Sequence, residues 1–246
     1  MIMPDNLAIY RGQDFRVNQY ITLHHPTLGE ICDFGEETFW TTCKNLVSTP
    51  ADMKVAIYDN LHIWWDELTC FDLFLYTYKS FTKEQTSIIL GDLDLSEFLI
   101  YQDNDTKKVV LRDPNSGLVI DEVTYEVITG FIRKICGFKK NMEVGADNNT
   151  KFAMIEADRD DLYFEKQKSH GFASLLLPMV SSMINSSGFK YNYKEVWDMP
   201  IFAFMDSVKR IQSIDQYKNY MRGIYSGCID GSKISNKSLD WMRDLS

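Results

Sequence analysis

The sequence predicts an α+β fold that is mostly helical, with a small antiparallel β-meander in the N-terminal part and a helical C-terminal part. Three observations carry this. Residues 98–123 hold short β-rich runs broken by turn residues. Nearly everything after residue 150 repeats its apolar residues at helical spacing. Between them, KKNMEVGADNNT is polar, turn-rich and without period. The expected organisation is an α+β domain over 1–138, a linker over 139–150 and a helical domain over 151–246.

Taken in order, residues 1–18 carry weak patterning and read as a loose arm. Tyr20–His24 alternates as a strand, and His25-Pro26 ends it, because the residue before proline avoids the α region. Thr27 with Glu30 three residues on is a capping-box pattern. Gly35–Val47 reads as a helix with acids in its first turn and Lys44 near its end. Ser48-Thr49-Pro50 starts a further short helix over Ala51–Tyr58. Thr69 suits the cap of a helix carrying Phe71, Phe74, Leu75 and Tyr78. Trp64 and Trp65, being adjacent, must point in different directions, one of them to the core. Thr82–Leu90 fits either a strand or a short helix.

The meander runs from Leu99-Ile100-Tyr101 through the turn Asp103-Asn104-Asp105 to Lys107–Arg112. It then passes through Asp113-Pro114-Asn115-Ser116-Gly117 to Leu118–Asp121. In the second turn proline presets φ and glycine accepts positive φ. Thr124–Gly137 follows with Val127, Ile128, Phe131, Ile132 and Ile135 on one helical face. Beyond the linker the expected helices are Lys151–Ser169, Phe172–Asn185, a pair within Met199–Ser226, and Lys237–Leu245.

The pair is the organising feature. Ile201, Phe204, Met205, Val208 and Ile211 form one apolar stripe, with Pro200 in the first turn. Tyr217, Tyr220, Met221, Ile224 and Tyr225 form a second, with Asp215 as its N-cap. Gly223 and Gly227 lie where that second helix loosens or stops. Such stripes serve as core or as partner-binding surface.

Composition bounds the function. The chain has 246 residues, 45% apolar and 25% charged, enough for a sizeable core without staples. A net charge of −9, with only the pairs Lys107-Lys108 and Lys139-Lys140 as basic clusters, argues against nucleic acid as a partner. Cys32, Cys43, Cys70, Cys136 and Cys228 are scattered and odd in number. That spacing argues for free thiols in a reducing compartment, against a disulfide framework and against a zinc site. No apolar run reaches membrane-spanning length and no signal layout opens the chain, so no membrane association is expected.

No catalytic, cofactor-binding or metal residues are assigned. His24-His25 with Asp33, Glu36 and Glu37 is the densest set of metal-ligand types, but adjacent strand histidines face opposite sides. Asp158, Asp160 and Asp161 lack the glycine and terminal glutamate of a calcium loop. Cys43, Cys228, His62 and His170 supply nucleophile and base types without a local signature. No Walker-type loop, G-x-S-x-G, H-E-x-x-H or G-x-G-x-x-G occurs.

Three stretches resemble a known group: ITLHHPTLGEICDFGEETFW (Ile21–Trp40), YKEVWDMPIFAFMDSVKRIQ (Tyr193–Gln212) and YSGCIDGSKISNKSLDWMRDL (Tyr225–Leu245). They resemble the tail-gene products of long-tailed bacteriophages of Gram-positive bacteria, above all tail assembly chaperones and related tail-assembly proteins. The resemblance implies a viral protein without enzymatic activity or cofactor, in the cytoplasm of the infected host. It implies the tape measure protein as partner, with the tail tube protein as a second, and leaves a homo-oligomer open. Many such chaperones are smaller, so a baseplate or tail-connector component is an alternative. A small phage enzyme without a recognised motif is another. Under the chaperone reading, protein–protein interaction falls to Phe204, Met205, Tyr217, Tyr220, Tyr225 and Trp241, because aromatic and methionine anchors dominate such interfaces.

Overall fold

In the computed structural model, which describes residues 4–102, 107–168 and 171–245, short helices dominate the N-terminal part and several start at a threonine cap. Thr27 Oγ1 accepts the Glu30 amide at 3.2 Å and Glu30 Oε2 accepts the Thr27 amide at 2.7 Å, which starts α2 (Leu28–Phe34). The same reciprocal box, Thr69 with Asp72, starts α5 (Cys70–Thr77), and Thr82 with Gln85 starts α6 (Lys83–Leu90). Thr49 with Asp52 starts a 3₁₀ turn at Pro50–Met53 that runs into α4 (Lys54–Leu61). Between α2 and α4 lies α3 (Glu36–Leu46), with Glu36 and Glu37 in its first turn and Lys44 in its last. The ambiguous Ser87–Leu90 run is thus helical, because Thr82 supplies a complete cap.

The strands are short. Phe15–Arg16 (β1) pairs antiparallel with Thr22–Leu23 (β2). Leu99–Gln102 (β3), Val109–Arg112 (β4) and Val119–Ile120 (β5) form the meander in the order β3-β4-β5. In the β4–β5 turn, the Asp113 carboxylate accepts the amides of Asn115 and Ser116, and Gly117 takes a φ of 73°. The Asp103-Asn104-Asp105 turn lies outside the described residues.

The core centres on α7 (Glu122–Cys136), whose Phe131, Ile132 and Ile135 are fully buried. Tyr125 of this helix stacks on Phe74 of α5 with ring centroids 4.7 Å apart. The same core includes Leu176, Val180 and Met183 of α9 (Leu176–Ile184), Val196, Met199, and Ile201 and Phe204 of α10 (Ile201–Tyr225). It therefore takes residues from both sides of 139–150. A smaller cluster gathers Ala51, Ile57, Trp65 and Leu73 around Ile155 of α8 (Asn148–Lys168). There the buried Lys54 ammonium meets Asp158 at 2.7 Å and Glu143 at 2.9 Å. Burial opposes its charge, but the two carboxylates outweigh burial and hold Lys54 above the usual lysine range.

Several sequence expectations are corrected. Residues 1–18 are not a loose arm where described. They form α1 (Asn6–Tyr10) and β1, and Ile9 and Val17 are buried. Gly12 is needed there: with φ at 72°, a Cβ on it would lie 2.3 Å from Pro200 Cγ. The strand expected over Tyr20–His24 shortens to Thr22–Leu23. The expected helix pair is one continuous α10, because Gln212–Gln216 contains no proline or glycine to break it. Asp215 caps nothing and pairs with Lys218 at 3.2 Å. The terminal helix expected over Lys237–Leu245 is only α11 (Asn236–Leu239), capped by Ser235 and followed by turns.

Candidate partner-binding surface

α10 is the longest described helix, 25 residues, or about 37 Å at 1.5 Å per residue. Its first turn is clasped by the segment before α2. Ile201 donates its amide to the Pro26 carbonyl and Leu28 donates to the Met199 carbonyl, each at 3.0 Å. The Phe202 amide donates to His25 Nε2 at 3.4 Å. These bonds satisfy amides that a helix start otherwise leaves unpaired. His25 is 2% exposed and packs edge-on against Phe131. Burial, with a smaller push from His24, lowers its pKa to about 4 against the opposing pull of Asp14. His24 turns the other way, its Nδ1 on Asp14 at 2.8 Å and its Nε2 on Glu30 at 3.1 Å.

The proximal half of α10 closes the core. Phe204 is fully buried, edge-on to Phe189, while Met205, Val208 and Ile211 pack half-buried around it. Ser213 is the last buried residue. Beyond it the chain's own tail covers part of the helix. The Gly223 carbonyl accepts the amides of Cys228 and Ile229, and a Cβ on Gly223 would lie 2.4 Å from Ile229 Cδ1. Arg210 donates through Nη1 to the carbonyls of Trp241 at 2.6 Å and Arg243 at 2.9 Å, pinning the C-terminal turns to the middle of the helix.

The six residues singled out in the sequence are not brought together on one surface. Phe204 is core and Met205 packs against it. Tyr217 and Tyr220 are half-buried on the distal half, and Gln216 donates to the Tyr220 hydroxyl at 3.1 Å. Tyr225 is 81% exposed at the helix end. Trp241 is half-buried beside Arg210.

Sequence reasoning missed a groove of about 530 Å³ between α1, α10 and the C-terminal turns. Leu7 and Met242, 70% and 71% exposed, stand over it with Tyr10, while Phe202, Asp206 and Arg210 come from α10. It missed a second exposed apolar group as well, Leu162-Tyr163-Phe164 near the end of α8. The signal for the latter was present as an apolar run in an otherwise charged helix. The groove had no such signal, because α1 was read as an unstructured arm.

The histidines and cysteines considered as catalytic types are dispersed. His62 ends α4 in the left-handed conformation at φ 55°, Cys43 is buried in the core, and Cys228 is exposed in the tail. His170 lies outside the described residues. Among the described residues no three His, Cys, Asp or Glu side chains converge as a metal site would require. No helix among them is long and apolar enough to cross a membrane.

Residues 166–246 match the family described as YomV second domain, a match that points to a phage-related protein family. The matched segment contains α9, α10 and the tail that folds back on α10. No curated protein and no solved structure matches the chain.

Proposed function

We propose that this is a non-enzymatic bacteriophage protein, a tail assembly chaperone that binds the tape measure protein and assists tail tube assembly in the host cytoplasm. The observation that carries the reading is the groove of α1, α10 and the tail. It lies largely within the segment matching the YomV second domain, and two of the three stretches that resemble tail-assembly proteins build it. A tape measure protein is a long apolar helical client. A groove with apolar lips at Leu7, Tyr10 and Met242 over the Asp206–Arg210 pair suits one face of such a helix. Tyr225 is exposed at the far end of the same helix.

The test is co-expression with fragments of a phage tape measure protein, followed by pull-down and mass spectrometry of purified particles. Capture of a fragment, together with absence of the chain from particles, is the expected result. Presence in the particle would favour the baseplate or connector reading. Failure to capture any fragment would sink the chaperone reading.

A further inference from the structure

β3 forms one edge of the meander, and its neighbours show which of its backbone groups are free. Asp113 donates its amide to the Leu118 carbonyl at 2.9 Å. The Asp113 carbonyl accepts the Gly117 amide at 2.9 Å, so both backbone groups of Asp113 face β5, and so, two along, do those of Leu111, opposite Ile120. Val110 and Arg112 then turn their backbone groups the other way, to Tyr101 and Leu99. That leaves the N–H and C=O of Ile100 and Gln102 directed away from the sheet. Phe98, next along the same edge, is closed: its amide goes to the Leu95 carbonyl at 3.3 Å, and its carbonyl accepts the Tyr78 hydroxyl at 3.1 Å.

Apart from its shortness, β3 carries none of the side-chain protections of an edge strand. β3 reads Leu-Ile-Tyr-Gln, with no charge, proline or glycine, and all four residues are exposed. Ile100 shares a sheet face with Leu111 and Ile120, which are fully buried, yet it is 53% exposed, because the core ends at β3. It lies on the lip of a recess of about 520 Å³ formed with Leu75, Tyr76, Tyr78 and Lys79.

We propose that β3 pairs antiparallel with β3 of a second copy about a two-fold axis, joining two three-stranded sheets into one. The spacing suits self-pairing. With Ile100 of one copy opposite Gln102 of the other, every outward N–H meets an outward C=O, and the two-fold repeats the set. Each Ile100 then lies opposite Gln102 of the other copy, with the second Ile100 diagonal to it on the same sheet face. The charge pattern also favours this patch. A net charge of −9 keeps copies apart in general, whereas among the described residues the recess is lined by Lys79 and by no carboxylate. The pairing is independent of which client, if any, occupies the α1–α10 groove.

Sedimentation equilibrium of the intact protein, from micromolar to the highest soluble concentration, should show a monomer–dimer equilibrium. Ile100→Lys should abolish the dimer. The side chain is exposed and the amide lies outside the β3–β4 ladder, so far-UV circular dichroism should not change, nor should Tm at concentrations where the wild type is monomeric. Val123→Lys, an exposed residue elsewhere, should leave the dimer intact. In hydrogen exchange, the Ile100 and Gln102 amides should gain protection with protein concentration. A monomer at every concentration, or a dimer that survives Ile100→Lys, overturns the proposal. Protection of those two amides only on adding a tape-measure fragment would place a foreign strand on the edge and overturn self-pairing as well.

Discussion

His25 and Phe202, 177 positions apart, are joined by a hydrogen bond from the Phe202 amide to His25 Nε2. The bond fixes the tautomer. Nε2 accepts, so the neutral ring carries its proton on Nδ1, and a second proton on Nε2 would remove the acceptor. The start of α10 thus depends on an uncharged imidazole.

That dependence sets a pH window. The folded-state pKa of His25 is lowered from 6.5 to about 4. The unfolded chain therefore binds more protons than the native one between those values. Stability from this group is full above pH 6.5, declines as pH falls and is lost below about 4. The shift corresponds to about 3 kcal/mol across the window. Chemical denaturation from pH 7 to 4 should show the decline. His25→Gln, which offers the amide a non-titrating acceptor, should flatten it. An unchanged slope in that variant would assign the pH dependence to other groups. Glu30 and Glu36, both with lowered pKa, add their losses only below about pH 4.5.

The boxed threonines give a second expectation. Thr27→Ala removes the hydroxyl that accepts the Glu30 amide at the start of α2 and should cost about 1 kcal/mol, as should Thr82→Ala on α6. Thr27→Ser should restore most of the loss. Urea midpoints at constant m-value are the measurement.

The Thr27–Glu30 cap was legible because a capping box is local: Thr and its partner lie three residues apart, and their chemistry needs nothing from the rest of the fold, whereas the Thr82–Gln85 box was passed over for the ambiguous apolar run behind it. The meander was legible for the same reason, through Asp113-Pro114-Asn115-Ser116-Gly117. α10 was misread because Asp215 is a good N-cap residue type, and the helix passes through it without needing a cap. The His25–Phe202 clasp was invisible, since no local signal links residues so far apart. The groove was not legible, since none of the six residues singled out in the sequence lines it. Phe204 and Tyr225 belong to similar apolar patterns, and what separates them is where the core stops along α10. That point is set by α7 and α9 packing, not by residue type.

Glu36 supplies a third expectation. Its carboxylate accepts the Leu175 and Leu176 amides at 2.8 Å each, the Ser174 hydroxyl at 2.5 Å and the Trp40 indole N–H at 3.2 Å. Burial alone would raise its pKa, but these four donors hold it below the usual glutamate value. Glu36 thus ties α3 to the start of α9 across the sequence. Glu36→Ala should destabilise by about 1–3 kcal/mol, since it leaves several donors unpaired. Exchange at the Leu175 and Leu176 amides should speed up more than exchange in α7.

The shared core makes a fourth. The segment between α7 and α8 is tied down by Trp65 Nε1 donating to the Glu143 carbonyl at 2.9 Å and by Asn141 donating to Asp52 at 3.0 Å. Phe204, Val180 and Phe131 belong to one core although they lie on both sides of that segment. Thermal unfolding should therefore be a single transition by near- and far-UV circular dichroism alike. Two separated transitions, or rapid proteolysis within residues 139–147 that leaves two folded fragments, would instead establish two independent units.

The last expectation separates binding from folding on α10. Tyr225 is 81% exposed, so Tyr225→Ala should change stability by no more than about 0.5 kcal/mol. Phe204 is fully buried in the core, and Phe204→Ala should cost about 3–5 kcal/mol whatever its effect on a partner. Met242 and Leu7, exposed over the groove, fall with Tyr225: truncating either should leave Tm nearly unchanged. If the groove holds a helical client, Leu7→Ala and Met242→Ala should each weaken capture of a tape-measure fragment by about 1–3 kcal/mol. Tyr225→Ala should act the same way only if the client extends along the distal half of the helix. Thermal unfolding and pull-down on the same four variants decide between these. Binding that falls only in Phe204→Ala, in step with stability, would remove the groove and the helix end from the interface.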